Sequence, residues 1–316
     1  MLPTWILQNP VAQWTARTKF DIVRFSDNHL LLINGFVTTS GLSRETWFSP
    51  DEGGSWIKRG STPSSKYSSE TVAVVLPSGV AIVLGGGNLG AAGIVTKSIN
   101  QGVSWTAVAS STGWTCKNGA CAVVLAGGAI LYMGGQTTTR FNDVWISIND
   151  GVSWTRQTAA AGWAPRSWFA AVVLSDDSIV VMGGDGNPYR NDVWRSTNAG
   201  AAWTQQTAAA PWSARYGLAA VVLSDDSIVV MGGWTGSAQN DVWRSTDKGI
   251  TWSLVLDHAP WPARTRHGAV VVSSGNIVLA GGETPTYARD VWIGPGTAPP
   301  PVIPIYPIWS MRIGPL

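Results

Sequence analysis

Short apolar runs, each bounded by glycine, asparagine, aspartate or serine, follow one another along most of the chain. Residues 169–207 show the pattern well. FAAVVLS is followed by the turn DD, then by IVVMGG, a variable loop, DVWRST, the turn NAG and AWTQQT. Runs with period-two alternation and strand-forming residues, separated by turn residues, indicate strands and hairpins. The pattern therefore predicts four short β-strands in this stretch.

The same pattern returns at a fixed spacing. The tryptophans that close the turn motif stand 49 residues apart, at Trp56, Trp105, Trp154, Trp203 and Trp252. The glycine doublets that end the second predicted strand keep this spacing at 85–86, 134–135, 183–184, 232–233 and 281–282, with Asn34-Gly35 as a divergent first copy. Self-similarity at such a period indicates a repeat architecture.

Four antiparallel strands per repeat, arranged around an axis, describe the blades of a β-propeller. Pairs of inner strands are expected near 20–35, 70–86, 119–135, 168–184, 217–233 and 266–282. The sixth repeat stops after Trp292 without a fourth strand, whereas Trp5 and Trp14 keep the nine-residue spacing of Trp203 and Trp212. We therefore predict an all-β, six-bladed β-propeller over residues 1–293. Its blades are four-stranded and antiparallel, and the N-terminal strand completes the last blade.

Residues 294–316 depart from the repeat. Their early prolines favour an extended polyproline conformation. Their later part, with Ile303, Ile305, Tyr306 and Trp309, is too apolar for a solvated linker. We predict a proline-rich apolar C-terminal tail that packs either on its own propeller or on a neighbouring subunit. In the second case residues 296–316 would mediate self-association.

Composition excludes several classes of function. The chain has 316 residues, a formal net charge of +2 and 13% charged residues, so no nucleic-acid partner is expected. No apolar run reaches the ~18 residues of a membrane span. The three histidines share no ligand spacing, and neither a metal nor another cofactor is predicted. Cys116 and Cys121 replace small residues of other repeats and are expected to be buried.

Two sets of charged positions change together between the copies. A basic residue three after the Trp14-type position accompanies an acidic residue two before the Trp47-type position, and the second repeat has lost both, with Ser68 and Ile94 instead. We interpret them as one structural ion pair per blade; the alternative is a basic ring that attracts anionic ligands. The pairs are Arg17–Glu45, Lys117–Asp143, Arg166–Asp192, Arg215–Asp241 and Arg264–Asp290.

Two other sets vary most, and both are predicted on the face where the inner strands start. One follows the glycine doublets: Phe36, Gly87, Gln136, Asp185, Trp234 and Glu283. The other lies two residues after the basic position: Lys19, Glu70, Gly119, Trp168, Gly217 and Arg266. Flat aromatic faces with a few polar groups suit a sugar or a peptide, whereas loop drift without a ligand is the alternative. The ligand-binding candidates are Phe36, Glu70, Gln136, Trp168, Asp185, Trp234, Arg266 and Glu283.

Two motifs carry a resemblance to known families. The turn motif S-x-D-x-G-x-x-W, complete at 49–56 and 245–252, resembles the Asp-box (BNR repeat) of sialidase-like propellers. The GG…NDVW arrangement resembles kelch repeats. Together the motifs cover about residues 4–293. Such motifs occur in lectins, hydrolases, adaptors and structural proteins, so they predict the fold far better than the function.

We expect a non-catalytic recognition or scaffold module that binds a glycan or a protein through its loops. Resemblance to Asp-box proteins implies an extracellular or cell-surface location, and resemblance to kelch adaptors leaves the cytoplasm open. A second hypothesis is a structural or assembly subunit that docks through its tail. A third is a sialidase-like glycoside hydrolase, for which Glu70, Asp185 and Glu283 would be candidate carboxylates. Because the arginines in repeat register are explained as ion pairs, we assign no catalytic residue.

Overall fold

The computed structural model of the protein describes residues 4–38, 41–63, 70–85, 90–109 and 112–296. Within these residues the regular secondary structure consists of short β-strands. Residues 297–316 lie outside the described residues, and with them most of the predicted tail and its predicted packing.

The strands are only two to eight residues long. In chain order they are β1 (Ile6–Asn9), β2 (Arg17–Thr18), β3 (Asp21–Arg24), β4 (Leu30–Ile33), β5 (Phe36–Val37), β6 (Gly41–Leu42), β7 (Glu45–Ser49), β8 (Ile57–Ser61), β9 (Val72–Val75), β10 (Ala81–Leu84), β11 (Val95–Ser98), β12 (Thr106–Ala109), β13 (Cys121–Val124) and β14 (Ile130–Met133). They continue as β15 (Val144–Ser147), β16 (Thr155–Thr158), β17 (Ala170–Val173), β18 (Ile179–Met182), β19 (Val193–Ser196), β20 (Thr204–Thr207), β21 (Ala219–Val222), β22 (Ile228–Trp234), β23 (Ala238–Ser245), β24 (Ser253–Leu256), β25 (Gly268–Val271), β26 (Ile277–Ala280) and β27 (Val291–Gly294).

The described strands form six antiparallel sheets of four strands and a seventh sheet of three. The four-stranded sheets are β3-β4-β7-β8, β9-β10-β11-β12, β13-β14-β15-β16, β17-β18-β19-β20, β21-β22-β23-β24 and β25-β26-β27-β1. The seventh, β2-β5-β6, was not expected from the sequence. It lies in the loops of the first repeat, where β2 pairs with β5 over two residues. Other repeats make the same contact as a single bridge, for example Ser167 with Asp185, so the seventh sheet is an extension of a repeated contact.

The core lies between neighbouring sheets. The second strand of each four-stranded sheet is buried along its length, as in β18 with the sequence IVVM, apart from the half-buried Trp234 at the end of β22. One cluster joins Val180 and Met182 of this sheet to Val230 of the next sheet and to Trp212 in the loop between the two sheets. Because both faces of each sheet are covered, these strands are continuously apolar instead of alternating. Complete burial of one such side chain contributes about 1.5–3 kcal/mol.

The turn motif S-x-D/N-x-G-x-x-W, here called the turn lock, is held together by its own hydrogen bonds, as residues 147–154 show. Gly151 N–H donates to Ser147 Oγ at 3.0 Å, and Ser153 N–H donates to Asn149 Oδ1 at 2.9 Å. Trp154 Nε1 donates to the Gly151 carbonyl at 3.0 Å. Gly151 has φ +80°, and a Cβ there would come within 2.8 Å of a side chain in the preceding sheet. Serine, asparagine or aspartate, glycine and tryptophan are therefore required by the turn itself.

The N-terminal strand lies where the sixth repeat lacks one. β1 pairs antiparallel with β27. The rings of Trp5 and Trp261 meet edge to face with centroids 6.0 Å apart, and those of Trp212 and Trp252 do the same within one repeat, also at 6.0 Å. Trp5 therefore occupies the position directly before the fourth strand, which Trp252 has before β24.

Contacts between the last and first repeats also follow the general pattern. The amide of Gly184 donates to the carbonyl of Arg215 in the next repeat at 2.8 Å, and the amide of Gly282 donates to the carbonyl of Arg17 at 3.0 Å. The first strands of the sheets are neighbours in the order β3, β9, β13, β17, β21, β25, and β25 in turn contacts β3.

The basic residues three positions after the Trp14-type tryptophan, here called the repeat-register cations, are buried and paired with acidic side chains. Arg166 donates from Nε to the Ala164 carbonyl at 3.0 Å and from a terminal nitrogen to the Gly183 carbonyl at 2.9 Å. It also holds both oxygens of Asp192, at 2.7 and 2.8 Å. Burial opposes ionisation of Asp192, yet hydrogen bonds from Arg166 hold its pKa below the ordinary value. The shortest distances in the five pairs are 3.0 Å (Arg17–Glu45), 2.6 Å (Lys117–Asp143), 2.7 Å (Arg166–Asp192), 2.5 Å (Arg215–Asp241) and 2.7 Å (Arg264–Asp290). These cations are thus parts of the frame and leave little net charge for a ligand.

Candidate functional site

The residues two positions after the repeat-register cation converge on one opening, here called the mouth. Each lies two residues before the start of an inner strand. Each has a positive φ, between 48° and 65°. Together they line a cavity of about 190 Å³ at the end of the channel between the inner strands. These mouth residues are Lys19, Glu70, Gly119, Trp168, Gly217 and Arg266.

Backbone hydrogen bonds between repeats join five of the six mouth residues in the order Gly119, Trp168, Gly217, Arg266 and Lys19. The amide of Trp168 donates to the carbonyl of Gly119 at 2.8 Å, that of Gly217 to Trp168 at 2.8 Å, and that of Arg266 to Gly217 at 2.7 Å. A longer bond, 3.4 Å, leads from the Lys19 amide to the Arg266 carbonyl. The side chains of these five residues are therefore carried by a backbone that is held in place.

Glycine and large residues alternate around part of the mouth. A Cβ at Gly119 would lie 2.6 Å from the backbone nitrogen of Trp168 and 2.8 Å from its ring. A Cβ at Gly217 would lie 2.3 Å from Thr265 Oγ1 and 3.0 Å from Arg266 Cγ. Both glycines thus make room for the large neighbour that packs over them, and their positive φ adds a second reason for glycine.

One side of the mouth is aromatic and cationic. The Arg266 guanidinium lies 5.2 Å from the centroid of the Trp168 ring and 5.1 Å from that of Tyr216. Tyr216 also contacts Tyr189, with centroids 4.9 Å apart. Arg266 donates to Glu283 Oε2 at 3.1 Å. Cation–π contacts and this ion pair therefore hold the arginine over the aromatic rings.

The other side is polar. Lys19 forms an ion pair with Glu70. Below them, Thr71 Oγ1 donates to Asp21 at 3.2 Å, and burial raises the pKa of Asp21 to about 7. Cys121 lines the same cavity, but burial raises the pKa of its thiol to about 12, so it is a poor nucleophile.

The two cysteines differ in burial. Cys116 is buried, as expected, whereas Cys121 is half-buried.

The candidates that follow the glycine doublets lie next to the mouth but do not line its cavity. Trp234 pairs through its backbone with Tyr216, and Glu283 pairs with Thr265. Asp185 accepts from Arg140 at 2.8 Å, and Gln136 Oε1 accepts from Ser167 Oγ at 3.2 Å. Phe36 belongs to β5 and packs edge to face with Tyr287, while Gly87 lies outside the described residues. This set forms an outer rim around the mouth.

Sequence reasoning did not select Tyr216, Tyr189, Asp21 or Thr71. Tyr216 occupies the position between the buried cation and the mouth residue, where other repeats have Thr18, Asn118, Ser167 and Thr265. Variation at that position was a usable signal.

His267 lines the cavity in part but belongs to the core. It takes the position that phenylalanine has at 20 and 169, and its ring centroid lies 6.1 Å from that of Trp261. Neither ring nitrogen has a hydrogen-bond partner among the described residues. Burial, with a smaller contribution from Arg264, lowers the pKa of His267 to about 3, so the imidazole is neutral. Within the described ranges no group of three or more His, Cys, Asp or Glu side chains is placed to hold a metal.

A family comparison identifies the relatives of this chain. The family model described as the KLHDC2/KLHL20/DRC7 Kelch-repeats domain matches residues 71–282, about two thirds of the chain. The chain belongs to this kelch-repeat family. The kelch-like prediction and the β-propeller class are thereby confirmed. The match gives no support to the sialidase-type resemblance, and no curated protein matches the chain.

Kelch domains mediate protein–protein interactions, so family membership favours a non-catalytic interaction module. The three carboxylates considered for a hydrolase are each engaged by a different cation: Glu70 by Lys19, Asp185 by Arg140 and Glu283 by Arg266. Of these three, Glu70 alone lines the mouth cavity. No helix in the described part of this kelch domain is long and apolar enough to cross a membrane.

Proposed function

We propose that this kelch domain is a closed six-bladed propeller and a non-catalytic recognition module that binds a segment of a partner protein at its mouth. The observation that carries the proposal is the separation of roles among the repeats. Positions that keep their chemistry form ion pairs and turn locks. Of the two sets of positions that vary most, one lines the mouth cavity and the other forms the outer rim around it. Recognition by loops on a rigid scaffold requires this combination: a frame that is the same in every repeat and a surface that differs between repeats.

The size of the cavity favours a protein segment over a whole small ligand. About 190 Å³ is below the ~300–1,000 Å³ of typical small-molecule pockets. It suits one side chain of a segment that lies across the mouth. Trp168 and Tyr216, with Trp234 on the outer rim, then offer half-buried aromatic surface beside that side chain.

Closure can be tested with a disulfide. Leu7 pairs with Trp292 across β1 and β27, and the matched pair within one repeat is Leu254 with Trp243. Directly opposed residues of antiparallel strands are within disulfide reach. We expect L7C/W292C to cross-link in the folded chain as readily as W243C/L254C, measured by mass spectrometry after mild oxidation. Cross-linking of the control pair without cross-linking of L7C/W292C would contradict closure by β1.

The binding proposal can be tested by selecting heptapeptides from a random phage-displayed library against the full chain. Peptides selected by the wild type should lose about tenfold or more in affinity for Trp168→Gly and for Arg266→Gly, since hot-spot side chains cost about 2 kcal/mol or more when removed. Glycine is the matched choice because Gly119 and Gly217 already occupy this position with positive φ. Ile148→Ala, at an exposed turn, is the control and should bind normally. Equal binding by all variants would contradict recognition at the mouth.

A further inference from the structure

The channel has a second end, where the inner strands stop, and the last residues of these strands form what is here called the lower opening. They are Arg24, Val75, Val124, Val173, Val222 and Val271. The five valines are half-buried, whereas Arg24 is exposed. All but Val75 line a cavity of about 320 Å³, and Arg24 is the one charged residue among the described residues that line it. The lower opening is therefore apolar and partly exposed.

The frame does not require valine at these positions. Arg24 takes the same place in the first sheet and pairs with Leu30, as Val222 pairs with Ile228 in the fifth. A charged side chain is thus compatible with the sheet, yet five repeats have an apolar one. Half-buried apolar side chains gain free energy when another apolar group covers them. The lower opening therefore suits an apolar occupant.

The chain leaves the last repeat beside this opening. After β27, Gly296 is buried against the carbonyl of Gly275, in the turn between β25 and β26, and against the side chain of Leu223. Leu223 directly follows Val222 of the lower opening. The next residues, TAPPP at 297–301, favour the polyproline conformation, in which five residues span roughly 16 Å. The residues that follow 301 are therefore within reach of the opening.

We propose that residues 302–309, with the sequence VIPIYPIW, dock in the lower opening of their own propeller and close the channel at that end. Valine and isoleucine side chains of this segment pack on the valines of the opening. Tyr306 and Trp309 offer aromatic faces to Arg24, which suits a guanidinium.

Attachment to Gly296 favours this occupant over the same segment of a second copy. A short tether gives a segment an effective concentration in the millimolar range, far above that of a free partner at ordinary protein concentrations. The inference does not depend on the proposed function, because the mouth lies at the other end of the inner strands.

Photo-cross-linking of the full chain tests the inference. Tyr306 is replaced by p-benzoyl-phenylalanine, which on irradiation bonds to nearby C–H groups, and mass spectrometry locates the bond. We expect the main cross-link within one chain, at the ends of β13, β17, β21 or β25. A main cross-link to a second copy, a main cross-link elsewhere on the propeller, or none would overturn the inference.

Matched variants show whether the valines hold the segment. In V173R/V222R both residues become arginine, which Arg24 shows to be compatible with this position. The yield of the cross-link should fall about tenfold or more, as expected when a buried apolar contact is lost. Ile148→Arg, at an exposed turn, is the control and should leave the yield unchanged.

A change in the tail gives the same test without altering the propeller. In I303S/I305S the segment loses apolar surface while every residue of the lower opening is kept, so the yield should fall to a similar extent. An unchanged yield in I303S/I305S, or in a V173R/V222R protein that keeps the wild-type circular dichroism, would overturn the inference.

Discussion

Replacing Arg166 by methionine should lower the free energy of unfolding by about 3–5 kcal/mol. Methionine keeps much of the apolar stem but leaves the half-buried Asp192 without its bidentate partner, which holds it at 2.7 and 2.8 Å. It also leaves the Gly183 carbonyl without the bond that Arg166 makes to it at 2.9 Å. An uncompensated charge in a desolvated site is among the largest single-residue costs. Urea unfolding monitored by circular dichroism gives the change directly.

Two further variants show where that energy comes from. Arg166→Lys keeps the charge, as Lys117 does in the third repeat, and should cost less than the methionine variant. The double variant Arg166→Met, Asp192→Leu removes both partners and should recover a large part of the loss, because the second repeat has Ile94 at the acidic position and no such pair. A double variant no more stable than Arg166→Met would contradict the ion-pair explanation.

Replacing His267 by phenylalanine should stabilise the protein, and increasingly so in acid. At neutral pH the gain should be about 1–3 kcal/mol, because two buried ring nitrogens without partners are removed. Room exists for the larger ring, since phenylalanine takes this position at 20 and 169 beside a glycine of the adjoining repeat, as His267 lies beside Gly232.

The pH dependence follows from the pKa of His267, which folding lowers from 6.5 to about 3. Below pH 6.5 His267 binds a proton in the unfolded chain but stays neutral in the folded protein. The wild type therefore loses stability as the pH falls to about 3. At 1.36 kcal/mol per pKa unit, this loss is at most about 5 kcal/mol. The advantage of His267→Phe should grow by that amount across the window, as measured by urea unfolding at several pH values.

Asp21 acts in the opposite direction and must be subtracted. Burial raises its pKa to about 7, so the folded protein keeps a proton that the unfolded chain loses near pH 4, and stability falls as the pH rises towards 7. The difference between His267→Phe and the wild type cancels this contribution. His258→Phe is the control, since His258 is 79% exposed in its side chain and its replacement should leave the pH profile unchanged. If the free energy of unfolding of His267→Phe depended on pH as that of the wild type does, a neutral buried His267 would be contradicted.

Much of the frame was predictable because the repeats of the chain can be aligned with one another. The second repeat lost a cation and an anion together, which indicated a pair, and the spacing of Trp5 from Trp14 indicated the missing strand of the sixth repeat. Both inferences use register alone, and register is strict here because the second strand of each sheet is buried. The additional sheet β2-β5-β6 was missed because it depends on two residues of loop pairing in a single repeat.

The candidate site was predictable as a face but not as a cavity. Variation selected the outer rim and the mouth equally, yet the described structure lines the cavity with the mouth set and leaves Asp185, Trp234 and Glu283 outside it. That distinction depends on the left-handed backbone at the mouth residues, which register does not show. The pairing of Arg266 with Glu283 and its place over Tyr216 depend on side-chain reach in the same way.

The central claim is that a partner segment binds where the varied residues meet. The most direct measurement is a chemical-shift map of the full ¹⁵N-labelled chain with one selected heptapeptide bound. The account predicts that the largest shifts fall on Lys19, Glu70, Gly119, Trp168, Gly217 and Arg266 and decrease towards the outer rim. Shifts concentrated on the turn locks near Asn149 and Asn198, or along the outer strands, with the mouth residues unmoved, would contradict it.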